Sequence, residues 1–305
     1  MKVKVIPLSE AIGRYVSDGQ SVVLGTGLEG FIPFAAGYEI IRQGKRNLCL
    51  IGPISDILFD LLIGAGCVTR VVAAWVGNVS AGLGYNFRRA VEESIPHPLE
   101  VENHSNFTIA LGLHAGALGI PFVPARTALG TDLQRQNPHL REISCPYTGE
   151  RLVAVRAITP DVAIVHVQRA DREGNCHLWG NLGVTLDAVR ASRTVIVTTE
   201  EIVSSDVILS DPNRTLIPGI FVTAIAVVPW GAHPSPVVGY YNRDHEFFHD
   251  YHEQTRTREQ FLDWLKQWVL QPADHEAYLR KLGAHRLNRL RPKRTAPSVP
   301  VHFGY

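Results

Sequence analysis

Six short runs of nearly continuous Val, Ile, Leu and Ala constrain this chain's fold more than any other feature. They are SVVLG (21–25), NLCLIG (47–52), TRVVAAWV (69–76), DVAIVHVQ (161–168), RTVIVTT (193–199) and FVTAIAVV (221–228). A strand with one wetted face alternates apolar and polar residues. One covered on both faces reads as an unbroken apolar run, as these do. Helix patterns with recognisable ends lie between them. Pro33 can open a helix running to Gln43, with Gly44 as its stop. Ser55 can cap SDILFDLLIGAG, and Ser105 or Asn106 can cap NFTIALGLHAGALG. Repeated β-then-α order implies an α/β fold, a mostly parallel sheet with helices on both faces.

After about Val238 the apolar spacing becomes purely helical, with Phe261, Trp264, Leu265 and Trp268 on one face. Residues 1–238 therefore read as the α/β domain, and 239–305 as a helical extension laid against it, ending in a basic, proline-rich tail. The tail's Lys and Arg lack interleaved aromatics, so a solvated segment or subunit contact fits better than nucleic-acid binding. A formal net charge of +1 gives no global field for nucleic acid or a membrane surface. No apolar run approaches the roughly 20 residues needed to span a bilayer. The N-terminus lacks a signal-peptide core. The scattered Cys49, Cys67, Cys145 and Cys176 form no CxxC pair and suit a reducing cytoplasm.

Three motifs compete for the chemistry. HEFFH (245–249) fits the zinc-protease pattern H-E-x-x-H, with Glu246 as base. It lies outside the α/β core, and Glu259 and Glu276 are the only downstream candidates for a third ligand. A packing helix with Phe247, Phe248 and Tyr251 inward and histidines outward is the plainer reading. GTGLEGFIP (25–33) places Gly25, Gly27 and Gly30 in G-x-G-x-x-G spacing between a strand and a helix. Pro33 starts that helix after the third glycine, and NLCLIG ends without the acidic residue a dinucleotide ribose needs. A tight turn and a ligand cradle remain equally open. VQRADREGNCHLWGN (167–181) has turn chemistry at Asp171, Gly174 and Asn175. His166 reads as a satisfied core histidine, and Glu200 and Glu201 as a solvated or ion-paired loop.

GTGLEGFIP, AGALGIPFVPARTALGTDL, VQRADREGNCHLWGN, VTTEEIV and PWGAHPS occur in an order that resembles the alpha-type polypeptide of family I CoA-transferases, glutaconate CoA-transferase type. The resemblance spans roughly residues 5–283. It implies transfer of coenzyme A between an acyl group and a carboxylate through a glutamyl thioester. In that family the glutamate stands in an S-E-N-G type motif of a beta subunit, which this chain lacks. The resemblance therefore implies no catalytic residue here, a beta-subunit partner, no permanently bound cofactor or metal, and a coenzyme A thioester as substrate. The substrate-binding set it suggests is Gly25, Gly27, Gly30, Phe31, Trp75, Asn103, Ser105 and Arg126. Arg126 is equally a structural salt-bridge former. Related subunits hydrolyse a carbon–carbon bond in steroid-derived CoA thioesters, and under that alternative Glu102 is the carboxylate to weigh. A non-catalytic nucleotide-binding module is the remaining alternative. Tyr240, Asp244, Phe248, Tyr251, Trp264 and Tyr278 match the family's aromatic tail, which makes the zinc match an accident.

Overall fold

The computed structural model describes residues 4–293; the proline-rich end of the basic tail lies outside them. After α1 (Leu8–Tyr15) come β1 (Ser21–Val23), α2 (Phe34–Arg42), β2 (Leu48–Gly52), α3 (Ile57–Gly64) and β3 (Val68–Ala73). A short hairpin, β4 (Gly77–Asn78) and β5 (Gly82–Leu83), leads to α4 (Tyr85–Glu92), β6 (Glu100–Asn103) and α5 (Asn106–Leu118). The chain then builds β7 (Phe122–Ala125), α6 (Asp132–Gln136), β8 (Leu140–Ser144) and β9 (Arg151–Arg156). It re-enters the main sheet with β10 (Val162–Ala170), β11 (Cys176–His177), α7 (Thr185–Ala191), β12 (Thr194–Ile202), α8 (Ser205–Leu209), β13 (Thr215–Ile217) and β14 (Ala224–Val227). Helices α9 (His245–Gln254), α10 (Arg258–Leu265), α11 (His275–Leu282) and α12 (Ala284–Leu290) follow.

Parallel pairing arranges the main strands in the order β14-β12-β10-β1-β2-β3-β6. Antiparallel β11 pairs with the carboxyl end of β10, at Arg169 and Ala170, and β13 pairs with β11. Every apolar run singled out in the sequence lies in this sheet. The period of two explains why those runs are continuous. Val22, Leu50, Val71, Ile164 and Ile196 enter a core beneath α2 and α3, while Val23, Ile51, Val72, Val165 and Val197 enter a second one shared with α5 and α7. Between α5 and β10 sits a separate three-stranded antiparallel sheet, β7-β9-β8, with its own small cluster of Leu140, Val153 and Val155.

Helix ends follow local chemistry. Pro33 precedes α2, and Gly44, at φ +65°, donates back to Ile41 O after its last turn. Ser105 caps α5 in a reciprocal box with Thr108. Ser55 does not cap α3: Asp56 holds the N-cap position, and the Ser55 hydroxyl donates to Leu24 O instead. The helices after residue 238 share the first core, since Phe247, Phe248, Tyr251, Phe261, Trp264 and Tyr278 pack into the cluster of Leu24, Phe34 and Leu58. Trp268 keeps to the expected stripe: half-buried on a single π-turn, Lys266–Leu270, it packs against the same core, with its ring 5.2 Å from that of Phe247 and 6.4 Å from that of Trp264.

His275, at the start of α11, has its Nε2 donating to Pro229 O at 2.8 Å, and burial pushes its pKa down to about 4. The unfolded chain binds this proton at an ordinary pH near 6.5, so His275 favours folding above that pH. Its contribution, about 3 kcal/mol, is lost as pH falls from roughly 6.5 to 4. Asp56, raised to about 6 by burial, runs the opposite way over the lower part of that window. The diagnostic is therefore a comparison: calorimetric stability of the wild-type protein should fall more steeply towards pH 4 than that of His275→Gln. Parallel curves would rule this out.

Candidate active site

The sheet reverses its winding beside β1, whose neighbours are β2 and β10, and open α/β sheets bind ligands at the carboxyl ends of strands flanking such a point. The glycine loop of residues 25–33 leaves β1 there. Its glycines have different reasons. Gly25 sits at φ +64° against α3's lead-in, where a Cβ would fall 2.1 Å from Ser55 Oγ and 2.8 Å from Ser55 Cα. A Cβ on Gly27 would lie 2.5 Å from Gly30 O, because Gly30 N–H closes a turn onto Gly27 O at 3.2 Å. At Gly30 the nearest atom is Pro236 O at 3.6 Å, an ordinary contact. The tight turn thus accounts for Gly25 and Gly27 but not for Gly30.

The loop is fastened from two sides. Thr26 O accepts from Val184 N–H at 2.8 Å, and the Thr26 and Thr185 hydroxyls share a 2.8 Å hydrogen bond. Phe31, buried at φ +58°, donates its N–H to Pro236 O at 3.0 Å, and the Ser235 hydroxyl donates to Glu29 O at 2.8 Å. The 230–241 segment that supplies these contacts is held by a buried network on β10 and β12. His166 Nε2 donates to Glu200 Oε1 at 2.8 Å, Tyr241 OH donates to the same oxygen at 2.7 Å, and Trp230 N–H donates to Oε2 at 2.8 Å. His166 is a satisfied core histidine. The expectation of a solvated or ion-paired loop fails for Glu200 in its loop part: Glu200 lies buried on β12, because this strand runs three residues past VIVTT, and its partner His166 makes burial tolerable. Glu201 pairs with Arg169 at 2.7 Å. Asp171 tops the β10–β11 hairpin, accepting from the N–H groups of Glu173 and Asn175.

Trp75 follows β3, half-buried, with its N–H on Pro53 O at 3.3 Å. Asn103 ends β6, exposed, and its carbonyl accepts from Asn137 Nδ2 at 2.7 Å. Ser105 stands two residues on, at the α5 cap. Glu102 is held from both sides: Oε1 accepts from His104 Nε2 at 2.8 Å and Oε2 from Arg70 at 2.5 Å. Burial raises its pKa, but these partners outweigh burial and hold the carboxyl below the usual range. It is a fixed anion, poorly suited to attack or to abstract a proton. Arg126 stands apart, just beyond β7 on the small sheet, exposed and paired with Glu150 at 2.8 Å.

Helix α9 turns Phe247, Phe248 and Tyr251 inward. His245 and His249 face each other outside, Nε2 to Nε2 at 2.8 Å, and Glu246 takes an ion pair from Arg289. Among the described residues no three His, Cys, Asp or Glu are grouped to hold a metal, so the zinc reading has no third ligand there. A pair that sequence reasoning missed lies at the base of this helix. Arg243 Nη2 reaches Asp56 Oδ2 at 2.6 Å with both side chains fully buried, and its guanidinium stacks on Phe248, 3.6 Å from the ring centroid. A charged residue just before HEFFH carries no signal that its partner lies on the far side of the sequence.

Residues 5–227 match the family model described as Coenzyme A transferase. The A subunit of 3-oxoadipate CoA-transferase from Pseudomonas knackmussii is 41% identical over 280 residues, 92% of this chain and 98% of that protein. The A subunit of glutaconate CoA-transferase from Acidaminococcus fermentans is 35% identical over 317 residues, 98% of this chain and 97% of that protein. The crystal structure of the Acidaminococcus fermentans glutaconate enzyme superposes with a TM-score of 0.89, covering 95% of this chain and 96% of that one. The cholesterol ring-cleaving hydrolase IpdA subunit of Rhodococcus jostii is more distant, at 27% identity over 92% of this chain and 97% of that protein.

Proposed function

The chain belongs to the coenzyme A transferase family, and on that premise we propose that it is the alpha-type subunit of a heteromeric acyl-CoA:carboxylate CoA-transferase. The single observation that carries this is full-length similarity to the A subunits of two such enzymes. The state of the chain's own carboxylates agrees with it. Glu102, Glu200 and Asp56, all near strand ends, are each held by at least two donors. These donors tie down each carboxylate, and the proposal takes the attacking glutamate from a beta-type partner.

In the reaction, that glutamate attacks the thioester carbonyl, forming an acyl anhydride and expelling the CoA thiolate. The thiolate then attacks the glutamyl carbonyl, giving a glutamyl thioester and the free acid. A second carboxylate reverses both steps. On this proposal the thioester sits against Gly27, Gly30, Phe31, Trp75, Asn103 and Ser105, which stand at or just beyond the carboxyl ends of β1, β3 and β6. The N–H groups of Thr26, Gly27 and Leu28 have no hydrogen-bond partner among the described residues, which leaves them as donors for a developing oxyanion. One such donor is worth about 3–4 kcal/mol of barrier. Coenzyme A enters and leaves as substrate, and no resident cofactor takes part. The four cysteines are free thiols, and the proposal places the enzyme in the cytoplasm. No helix among the described residues is long and apolar enough to cross a membrane.

The purified chain alone should show no CoA transfer, and adding the beta-type partner should restore turnover. Borohydride reduces a glutamyl thioester to an alcohol, so peptide mapping of the trapped complex should find the mark on the partner. Turnover by this chain alone, or a mark on Glu102, would overturn the reading.

A further inference from the structure

Three cavities of about 340, 290 and 300 Å3 share His139. Together they form a groove along the free edge of β6 and the outer face of the small sheet. Strand register fixes what that face presents. Phe122 opposes Arg156 and Arg141 opposes Ala154, all on the side away from the Leu140–Val153–Val155 cluster.

Charge on the small sheet is distributed unevenly. Arg126 pairs with Glu150, Arg135 with Asp132 and Arg151 with Glu142. Arg141 and Arg156, both lining the groove, make no ion pair among the described residues. Arg141 Nε donates to Pro138 O at 3.3 Å, and Arg156 Nη1 donates to His139 Nδ1 at 3.1 Å. With Nδ1 accepting, the His139 proton lies on Nε2, which faces Glu102 Oε2 at 3.5 Å. His139 is thereby a neutral brace that aims the Arg156 fork. The floor beside the two guanidinium groups is Pro121, Phe122, Pro138 and Ala154, an apolar bed of the kind a planar base lies on. The other end of the groove holds Arg70 and Glu102, which neutralise each other, and it opens at Asn103, beside the carboxyl edge.

Two unneutralised guanidinium forks over an apolar floor suit a ligand with several phosphate charges and an aromatic ring. Resting on the function proposed above, we infer that this groove seats the phosphate-bearing nucleotide end of the coenzyme A thioester. The arm carrying the thioester then passes along β6 and past Asn103 to the glycine loop. Binding energy gained at Arg141 and Arg156, remote from the reacting carbonyl, holds the thioester in place for attack.

The test uses the complex with its beta-type partner. Adenosine 3′,5′-bisphosphate, the nucleotide end alone, should bind by calorimetry. The double variant Arg141→Ala/Arg156→Ala should weaken it about 10–100-fold, the loss expected for two charge-assisted contacts. The same variant should raise KM for an acyl-CoA by a similar factor, with kcat within about threefold. The same acyl group carried on pantetheine, which lacks the nucleotide, should react equally with both proteins. Arg151→Ala, whose partner is Glu142, is the control on the same sheet. Both groove arginines are exposed, so thermal unfolding should be unchanged and a folding defect is separable. An unchanged KM for acyl-CoA in the double variant overturns the proposal. So does inorganic phosphate competing as well as the bisphosphate, which would mark a simple anion site. Arginine-dependent bisphosphate binding in a complex without any transfer activity would keep the groove and overturn the function proposed above.

Discussion

Replacing Arg243 by methionine should destabilise the protein by about 3–5 kcal/mol, because it leaves Asp56 charged and unpaired in a fully buried site. Burial has already raised the Asp56 carboxyl to about 6, and Arg243 is the largest influence opposing that rise. Without the guanidinium, Asp56 titrates still higher, and the variant loses most at neutral and alkaline pH, where the carboxylate must stay ionised. The double variant Arg243→Met/Asp56→Asn removes both charges and should recover part of the loss. Its cost will be smaller than the sum of the single substitutions, since the two groups act as one. Denaturant unfolding of the three variants at pH 7.5 reads this cycle. Strict additivity would show that the pair does not couple α9's lead-in to the start of α3.

Gly25→Ala should cost about 2–5 kcal/mol. A left-handed backbone penalises any Cβ by about 1–2 kcal/mol, and overpacking against Ser55 adds roughly 1–3. Ser55 backbone lies within the overlap, so the neighbour cannot simply rotate away. CoA transfer in the reconstituted enzyme should fall with it, because the loop's N–H groups move with Gly25. Gly30→Ala is the informative counterpart, since the protein has room for that methyl group. It should unfold within about 1 kcal/mol of wild type, the range of an ordinary Gly-to-Ala change. A large fall in kcat/KM at unchanged stability would then place the substrate against Gly30. If Gly25→Ala is stable and active, the loop is not the packed turn described here.

The central sheet was legible because burial on both faces leaves no choice but apolar residues, as in VIVTT or VAIVHV. Strand β6 was not. Its sequence, EVEN, puts Glu100 and Glu102 opposite Arg70 at a sheet edge, so the strand looks like polar loop. The small sheet hid for a different reason: RLVAVR alternates correctly but is short, and its partners lie across connections without a marker. In the glycine loop the spacing was visible, yet one pattern concealed two glycines required by neighbouring backbone and one that is not. Buried charges were the least legible. Asp56 and Arg243 are 187 residues apart, and nothing in either neighbourhood announces the other. HEFFH, read in the sequence as a packing helix, matched the zinc pattern because a helix that packs Phe247 and Tyr251 at i and i+4 sets His245 and His249 at the spacing a metal would want.

The central strand β1 pairs on one side with β2 but on the other with β10, which the ribosome delivers much later. At about 5–20 residues per second, the stretch from Val23 to Val162 takes roughly 7–28 s to synthesise. Through that interval the nascent chain carries an open apolar strand edge, the kind of surface that recruits a neighbouring polysome's product. The order in which this polypeptide is made therefore leaves its central strand half-paired until its second half emerges.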